Sequence, residues 1–272
     1  MTERKTGKEK IVLPTTNQVV AIAKEAGIIL KDFFESKKFG VEAKSGGIDV
    51  VTEADIKVDE FVRKKLSEQF PGSDILTEET SGGKPYMHLK DSPSLWIVDP
   101  LDGTKNFARN NPHFGIAIAH LKRGKIDIAV SHLPIKSETY NATEGIEGAF
   151  LNGEKINVSS KNDITGLYFA TGFSNNKEAR DKTTEIIAKV AQSTGAIYSN
   201  GSPVADLCLL AKGELDVYVN PRLKPWDVAA SAYIVIKAGG KITTITGKPW
   251  SPFCLDILAT NGKLHDQTCS LI

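Results

Sequence analysis

Cysteine is scarce in this chain of 272 residues: Cys208, Cys254 and Cys269 are the only three, odd in number and without metal-type spacing. A disulfide framework and a zinc knuckle are therefore disfavoured, and a reduced compartment fits best. No uninterrupted apolar run approaches the roughly 20 residues of a membrane-spanning helix. The opening MTERKTGKEK carries charge but no apolar stretch behind it, so a secretory signal is not expected and a cytoplasmic location is. Neither sign of charge is in excess. Thirty-four basic residues against 33 acidic ones leave a net charge of +1, which gives no overall field toward nucleic acid or an anionic membrane. A bound phosphate must be held locally. Repeats, low-complexity blocks and Pro/Ser-rich linkers are missing as well.

What is present suffices for a packed core: 40% of residues are hydrophobic and 25% charged. Residues 1–12 read as a solvated tail and 13–272 as one unit, with a boundary near 150–165 if it has two lobes. Apolar residues recur at helical spacing from Thr15 to Ser36. Lys44–Val51 reads as a Gly-containing loop and short strand. Thr52-Glu53-Ala54-Asp55 has capping-box form and opens a second helix, which Pro71-Gly72 stops. Strands are expected at Asp74–Thr77 and Leu95–Val98, each ending in acidic residues. Strands at Gly115–Ala119, Ile126–Val130 and Glu138–Thr143, with turns at Arg123-Gly124 and Glu144-Gly145, predict an antiparallel sheet. The second half alternates: strands at Leu167–Thr171, Leu215–Val219, Lys241–Ile245 and Asp256–Thr260, and helices at Lys177–Gln192, Val204–Lys212 and Val228–Ala238. This predicts an α/β (mixed α+β) fold with helices layered on mixed sheets.

The most informative stretch is Trp96 to Thr104. An apolar strand delivers Asp99 and Asp102 at a turn set by Pro100 and Gly103. Two carboxylates and the Leu101 carbonyl are hard oxygen ligands suited to magnesium. A helix starting near Thr104 would aim unused N–H groups at the same place and bind phosphate. Glu78-Glu79 and Asp227 could complete the site. Taken singly, Glu78-Glu79 also reads as a solvated strand end, and Asp227 as an acid balancing a helix dipole. Cys208 lies in an apolar helical run and reads as core. His88, His113, His120, His132 and His265 are scattered, and none is assigned to catalysis; His113 alone follows the turn closely enough to touch it.

Together these residues resemble the inositol monophosphatase family of lithium-sensitive, metal-dependent phosphatases. Trp96-Ile97-Val98-Asp99-Pro100-Leu101-Asp102-Gly103-Thr104-Lys105-Asn106-Phe107 matches its first motif. Trp226-Asp227-Val228-Ala229-Ala230, followed by Ala238-Gly239-Gly240, matches its second. Asp49 to Asp55, Glu78-Glu79 and Gly201-Ser202-Pro203 match in between, so the likeness runs from about Lys44 to Asn261. The resemblance implies a layered αβαβα sandwich, usually a homodimer, holding two or three magnesium ions. It implies that Glu78, Asp99 and the Leu101 carbonyl bind the first ion, and Asp99, Asp102 and Asp227 the second. A weaker third ion would lean on Glu78. Gly103 and Thr104 would hold the phosphate. Asp55, bonded to Thr104, would act with Glu78 on the attacking water. Gly201, Ser202 and Asn220 would meet the substrate.

The resemblance leaves the substrate open. Inositol-specific members carry glutamate where this chain has Asn220, seven residues before Asp227. An amide still hydrogen-bonds a polyol but loses the charge-assisted contact. Thr77 stands where many relatives have glycine. Lys105 also occurs in relatives acting on phosphoadenosine nucleotides or histidinol phosphate, and Arg222 and Lys224 add positive charge near the expected mouth. The expected activity is hydrolysis of inositol monophosphate or related sugar and polyol phosphates. The alternatives are a phosphatase of another small metabolite (a 3′-phosphoadenosine nucleotide, fructose 1,6-bisphosphate or histidinol phosphate) and a non-catalytic metabolite-binding relative.

Overall fold

The computed structural model describes residues 12–38, 40–43, 50–81 and 85–272. Of the tail read at 1–12, only Val12 falls among them, and Lys44–Asp49 of the expected loop lie outside. Helix α1 spans Thr16–Ser36 and begins at a capping box between Thr15 and Gln18. Strands β1 (Val41–Ala43) and β2 (Val50–Thr52) form an antiparallel pair that leads into α2, Glu53–Gln69. There Thr52 caps the Asp55 N–H while the Asp55 carboxylate accepts the Thr52 N–H at 2.8 Å. β3 (Asp74–Thr77), α3 (Glu78–Ser81), β4 (Leu95–Asp102) and α4 (Thr104–Ala108) follow. β5 (Gly115–Lys122), β6 (Lys125–Leu133), β7 (Glu138–Thr143), β8 (Ala149–Leu151) and β9 (Glu154–Ile156) run antiparallel in succession. The β5–β6 turn places both Arg123 and Gly124 at positive φ, the paired left-handed conformation that matches strand twist in a two-residue hairpin.

The second half supplies β10 (Leu167–Thr171), α5 (Lys177–Val190), β11 (Thr194–Tyr198), α6 (Pro203–Ala211), β12 (Val217–Asn220) and α7 (Pro225–Lys237). β13 (Lys241–Thr243), β14 (Ile257–Thr260) and α8 (His265–Leu271) close it. The sequence pattern predicts none of β1, α3, β8, β9, β11 and α8. It also began α7 at Val228, inside the true start. Pro203 and Pro225 each occupy a first helical position, where the missing N–H costs nothing and φ is already set.

Two sheets result. Seven strands lie in the order β3-β4-β5-β6-β7-β8-β9, and five in the order β11-β10-β12-β14-β13. Alternation along the buried strand β4 sends Trp96 and Val98 to one face and Leu95 and Ile97 to the other. Trp96 and Val98 pack with Val19, Leu30, Val58 and Val62 of α1 and α2. Leu95 and Ile97 join Leu207, Ala229 and Ala232 of α6 and α7, in a core that also takes Tyr218, Ile257 and Ala259 of the second sheet. Beyond that sheet, Phe169, Val217 and Leu258 meet Ile186 and Val190 of α5 and Leu264 beside α8. The layering is αβαβα, as the resemblance implies.

Candidate active site

Because β3 and β4 are parallel, both strands end at the same edge of their sheet. Glu78 follows β3 there. It opens the short helix α3 rather than ending a strand, because the Thr77 hydroxyl accepts the Thr80 N–H at 3.1 Å and caps that turn. At the end of β4 the register slips: Asp99 pairs with Ala117, but Asp102 pairs with Gly115, so β4 carries one extra residue. Pro100 lacks a donor, and the Leu101 N–H turns back to Asp99 Oδ1 at 3.1 Å. The bulge thereby brings both aspartates to one cavity.

Asp102 is gripped from the far half of the chain. Its Oδ2 accepts the Ser202 hydroxyl and the Val204 N–H (2.9 Å), both in the first turn of α6. Asp227 is the third residue of α7, and its Oδ2 accepts the Lys224 N–H at 2.7 Å. One oxygen each from Asp99, Asp102 and Asp227 lie within 4.8 Å of one another. Burial pushes the Asp99 carboxyl well above the usual range, and the charges of Glu78, Asp102 and Asp227 push it further. Burial also raises Asp102, against the opposing hydrogen bond from Ser202. Hard oxygen donors crowded at mutual electrostatic cost fit a hard divalent cation, whose charge removes that cost.

Beside this cluster, Gly103 turns the chain at φ 89° into α4. A side chain there would press on the His113 carbonyl, Phe114 and Ser202 at 3.1–3.2 Å. The first bonds of α4 run from the Asn106 and Phe107 N–H groups to the Gly103 carbonyl, so the helix makes no use of the Thr104 and Lys105 N–H groups. The Thr104 hydroxyl lies 2.9 Å from Asp55 Oδ1 and 3.0 Å from the Leu101 carbonyl. Asp55 is buried, and that burial raises its carboxyl to about 6 against the bonds from Thr52 and Thr104, with the Glu79 charge adding to the rise.

A cavity of about 940 Å³ opens over these groups and is also lined by Gly201, Asn220, Arg222 and Lys224. Asn220 is only 3% exposed, and both ends of its amide are engaged: Oδ1 accepts the Arg222 N–H at 3.0 Å and Nδ2 faces the Tyr218 hydroxyl at 3.2 Å. Ser202 is fully buried behind Asp102, while Gly201 and Pro203 on either side of it line the cavity. Lys224 Nζ stands 5.9 Å from the centre of the Tyr86 ring. Sequence reasoning missed one wall, the loop Gly172–Asn176, whose Asn175 Oδ1 accepts from Lys105 Nζ at 3.2 Å. The only local hints were Gly172, where a Cβ would come within 2.6 Å of Asn220 Nδ2, and Asn176 as the cap of α5.

The histidines keep away from the cavity. His113 pairs with Asp206, His120 with Asp127 and Ser94, and His265 with Thr243 and Thr260. Cys208 is buried in α6, where burial pushes its thiol up and out of reach of ionisation. Among the described residues no helix is long and apolar enough to cross a membrane.

The profile of the family described as "Inositol monophosphatase family" matches residues 12–272. The chain is 34% identical to a fructose-1,6-bisphosphatase/inositol-1-monophosphatase of Thermotoga maritima, over 85% of this chain and 86% of that protein. It is 36% identical to inositol monophosphatase 3 of Solanum lycopersicum, over 91% and 92%. The solved structure of a Thermotoga maritima IMPase superposes with a TM-score of 0.83 at 31% identity, covering 94% of this chain and 95% of the other.

Proposed function

The chain belongs to the inositol monophosphatase family and is a phosphoric monoester hydrolase, and we propose that it cleaves inositol monophosphates or related sugar and polyol phosphates with magnesium. The observation that carries this reading is the convergence of Asp99, Asp102 and Asp227 oxygens beside the Thr104–Asp55 hydrogen bond. Glu78, Asp99 and the Leu101 carbonyl would hold one magnesium, Asp99, Asp102 and Asp227 a second, and Glu78 would support a third. Bound there, magnesium supplies charge against the phosphate dianion and acidifies water.

The chain's own groups do the rest. The Gly103 and Thr104 N–H groups hold phosphate oxygens as α4 begins. Thr104 donates to Asp55, which leaves its hydroxyl oxygen to accept from the attacking water. With its carboxyl near 6, Asp55 is mainly ionised at pH 7, close to the match a general base needs. Asp55 and Glu78 together orient that water and take its proton. Ser202, held against Asp102, acts as that ligand's support, while Gly201 and Asn220 bound the space for the alcohol moiety.

Phosphate release from a panel of phosphomonoesters tests the reading. Turnover is expected with magnesium and none in excess chelator; equal turnover in both would sink it. Millimolar lithium is expected to inhibit, and sodium is not. In the cell we read the protein as a cytoplasmic homodimer acting on a small phosphorylated metabolite, with no nucleic-acid or membrane partner.

A second reading rests on the cavity rim. Lys105, Arg222 and Lys224 all line the cavity and place three positive charges there. Such cations favour a substrate with a second anionic group, such as fructose 1,6-bisphosphate or a 3′-phosphoadenosine nucleotide. Arg222→Ala would then lower kcat/KM for the bisphosphate about tenfold relative to inositol 1-phosphate. An unchanged ratio removes this reading and keeps the first.

A further inference from the structure

His113 is partly buried and Asp206 buried, and both are titratable and unused by the chemistry above. Their side chains are 15% and 2% exposed, and His113 Nε2 lies 3.0 Å from Asp206 Oδ1. The same oxygen accepts from Asn200 Nδ2 at 2.7 Å. Asn106, on α4, donates through its own Nδ2 to the carbonyls of His113 (2.6 Å) and Asn200 (2.7 Å). Asn111 adds two bonds, one from the His113 N–H and one to Asn106 Oδ1.

This network encircles the turn that is to cradle phosphate. On one side Gly103 packs against the His113 carbonyl and on the other against Ser202, with no room for a side chain at either contact. Ser202 begins α6, whose first turn grips Asp102 Oδ2, and Asp206 sits one residue beyond that turn's Ala205. His113–Asp206 therefore joins the segment after α4 to the start of α6, beside the Asn106 amide that holds the His113 and Asn200 carbonyls.

We propose that His113 and Asp206 are a positioning pair that fixes the Gly103–Thr104 turn relative to the Asp102 carboxylate. This rests on the phosphatase reading, because it assigns phosphate to that turn and a metal ion to Asp102. Without the pair, the Asn106 bonds and the grip of Ser202 and Val204 on Asp102 still join the two walls, but the start of α6 is set less tightly against the Gly103 turn. A displacement of about 1 Å among reacting groups can cost on the order of 10²-fold in rate.

The test uses the full chain with Asp206→Ala, His113→Ala and His113→Gln, the last retaining an amide donor toward Asp206. Each is measured for kcat and KM on a phosphomonoester at saturating magnesium, and for magnesium binding by calorimetry without substrate. Asp206→Ala and His113→Ala are expected to lower kcat about 10- to 100-fold and to weaken magnesium binding several-fold, with KM changed much less. His113→Gln is expected to restore most of both. If thermal stability falls while kcat per folded molecule and magnesium affinity stay at wild-type values, the pair is a structural fastening and the proposal is overturned. Equal damage from His113→Gln and His113→Ala overturns it too. Should Asp206→Ala fail to fold, Asp206→Asn is read in the same way. A wild type that cleaves no phosphomonoester refutes the phosphatase reading instead, and the calorimetric arm still decides whether the pair positions Asp102.

Discussion

Asp99 shows how one residue can be costly to the fold and necessary to the chemistry. It is 1% exposed, and its carboxyl is raised by burial and by four neighbouring acids, Glu78, Asp102, Asp227 and Asp55, before any cation is considered. Asp99→Asn removes that repulsion in a side chain of the same size. The variant should therefore melt no lower than wild type in chelator, lose the stabilisation that magnesium gives wild type, and turn over about 10³-fold more slowly or worse. Calorimetric melting with and without magnesium, beside a phosphate-release assay, checks all three. Retained turnover would mean that Asp99 does not hold the ions. Thr104→Ala should leave melting and magnesium binding close to wild type yet lower kcat about 10²–10⁴-fold, since its hydroxyl ties Asp55 to the water. Loss confined to folding stability would refute that role.

Among the elements, α1 presses closest on its sheet at Gly27. A Cβ there would come within 2.5 Å of His132 Nε2 on β6, so only glycine permits the approach. Gly27→Ala should destabilise the fold by about 1–3 kcal/mol although alanine is the better helix former, and trimming the imidazole with His132→Ala should relieve part of it. A double-mutant cycle of thermal melts measures the relief; strict additivity would contradict the packing argument. His132 Nδ1 faces the Glu138 carbonyl and the Thr139 hydroxyl, and burial, helped by the Lys24 charge, lowers its pKa to about 4. A depressed imidazole is neutral in the fold but charges in the unfolded chain, so its stabilisation is present above pH 6.5 and is lost as pH falls toward 4. The stability gap between wild type and His132→Gln should shrink by on the order of 2–3 kcal/mol across that window. An unchanged gap would show that His132 does not titrate this way. Much of this level was legible. The Thr52–Asp55 capping box, the apolar run of β4 and the Arg123-Gly124 turn each write their element in adjacent residues. β8 and β9 have three residues each, too few for a period, and the half-exposed edge strand β11 shows no alternation to find. The site divides the same way. One turn spells Asp99 and Asp102, whereas the grip of Ser202 on Asp102 and of Asn175 on Lys105 joins residues with no local pattern between them.

For the molecule as a whole, α6 and α7 are the shared layer, because one apolar core takes Ile97 and Ala119 from the first sheet and Tyr218 and Ala259 from the second. Neither sheet can keep that face covered if the other leaves. Heat should therefore unfold residues 13–272 in one transition whose calorimetric and van't Hoff enthalpies agree, and two resolved transitions would reveal separate lobes. The same layer has a consequence during synthesis. The seven strands of the first sheet are complete at Ile156, while the helices that cover its inner face begin only at Pro203. A ribosome adding about 5–20 residues per second leaves that face bare for seconds, and a chain halted there has no means of covering it. The nascent first half should therefore need a holdase chaperone, and a fragment ending near residue 160 should accumulate in inclusion bodies rather than as half of a working enzyme.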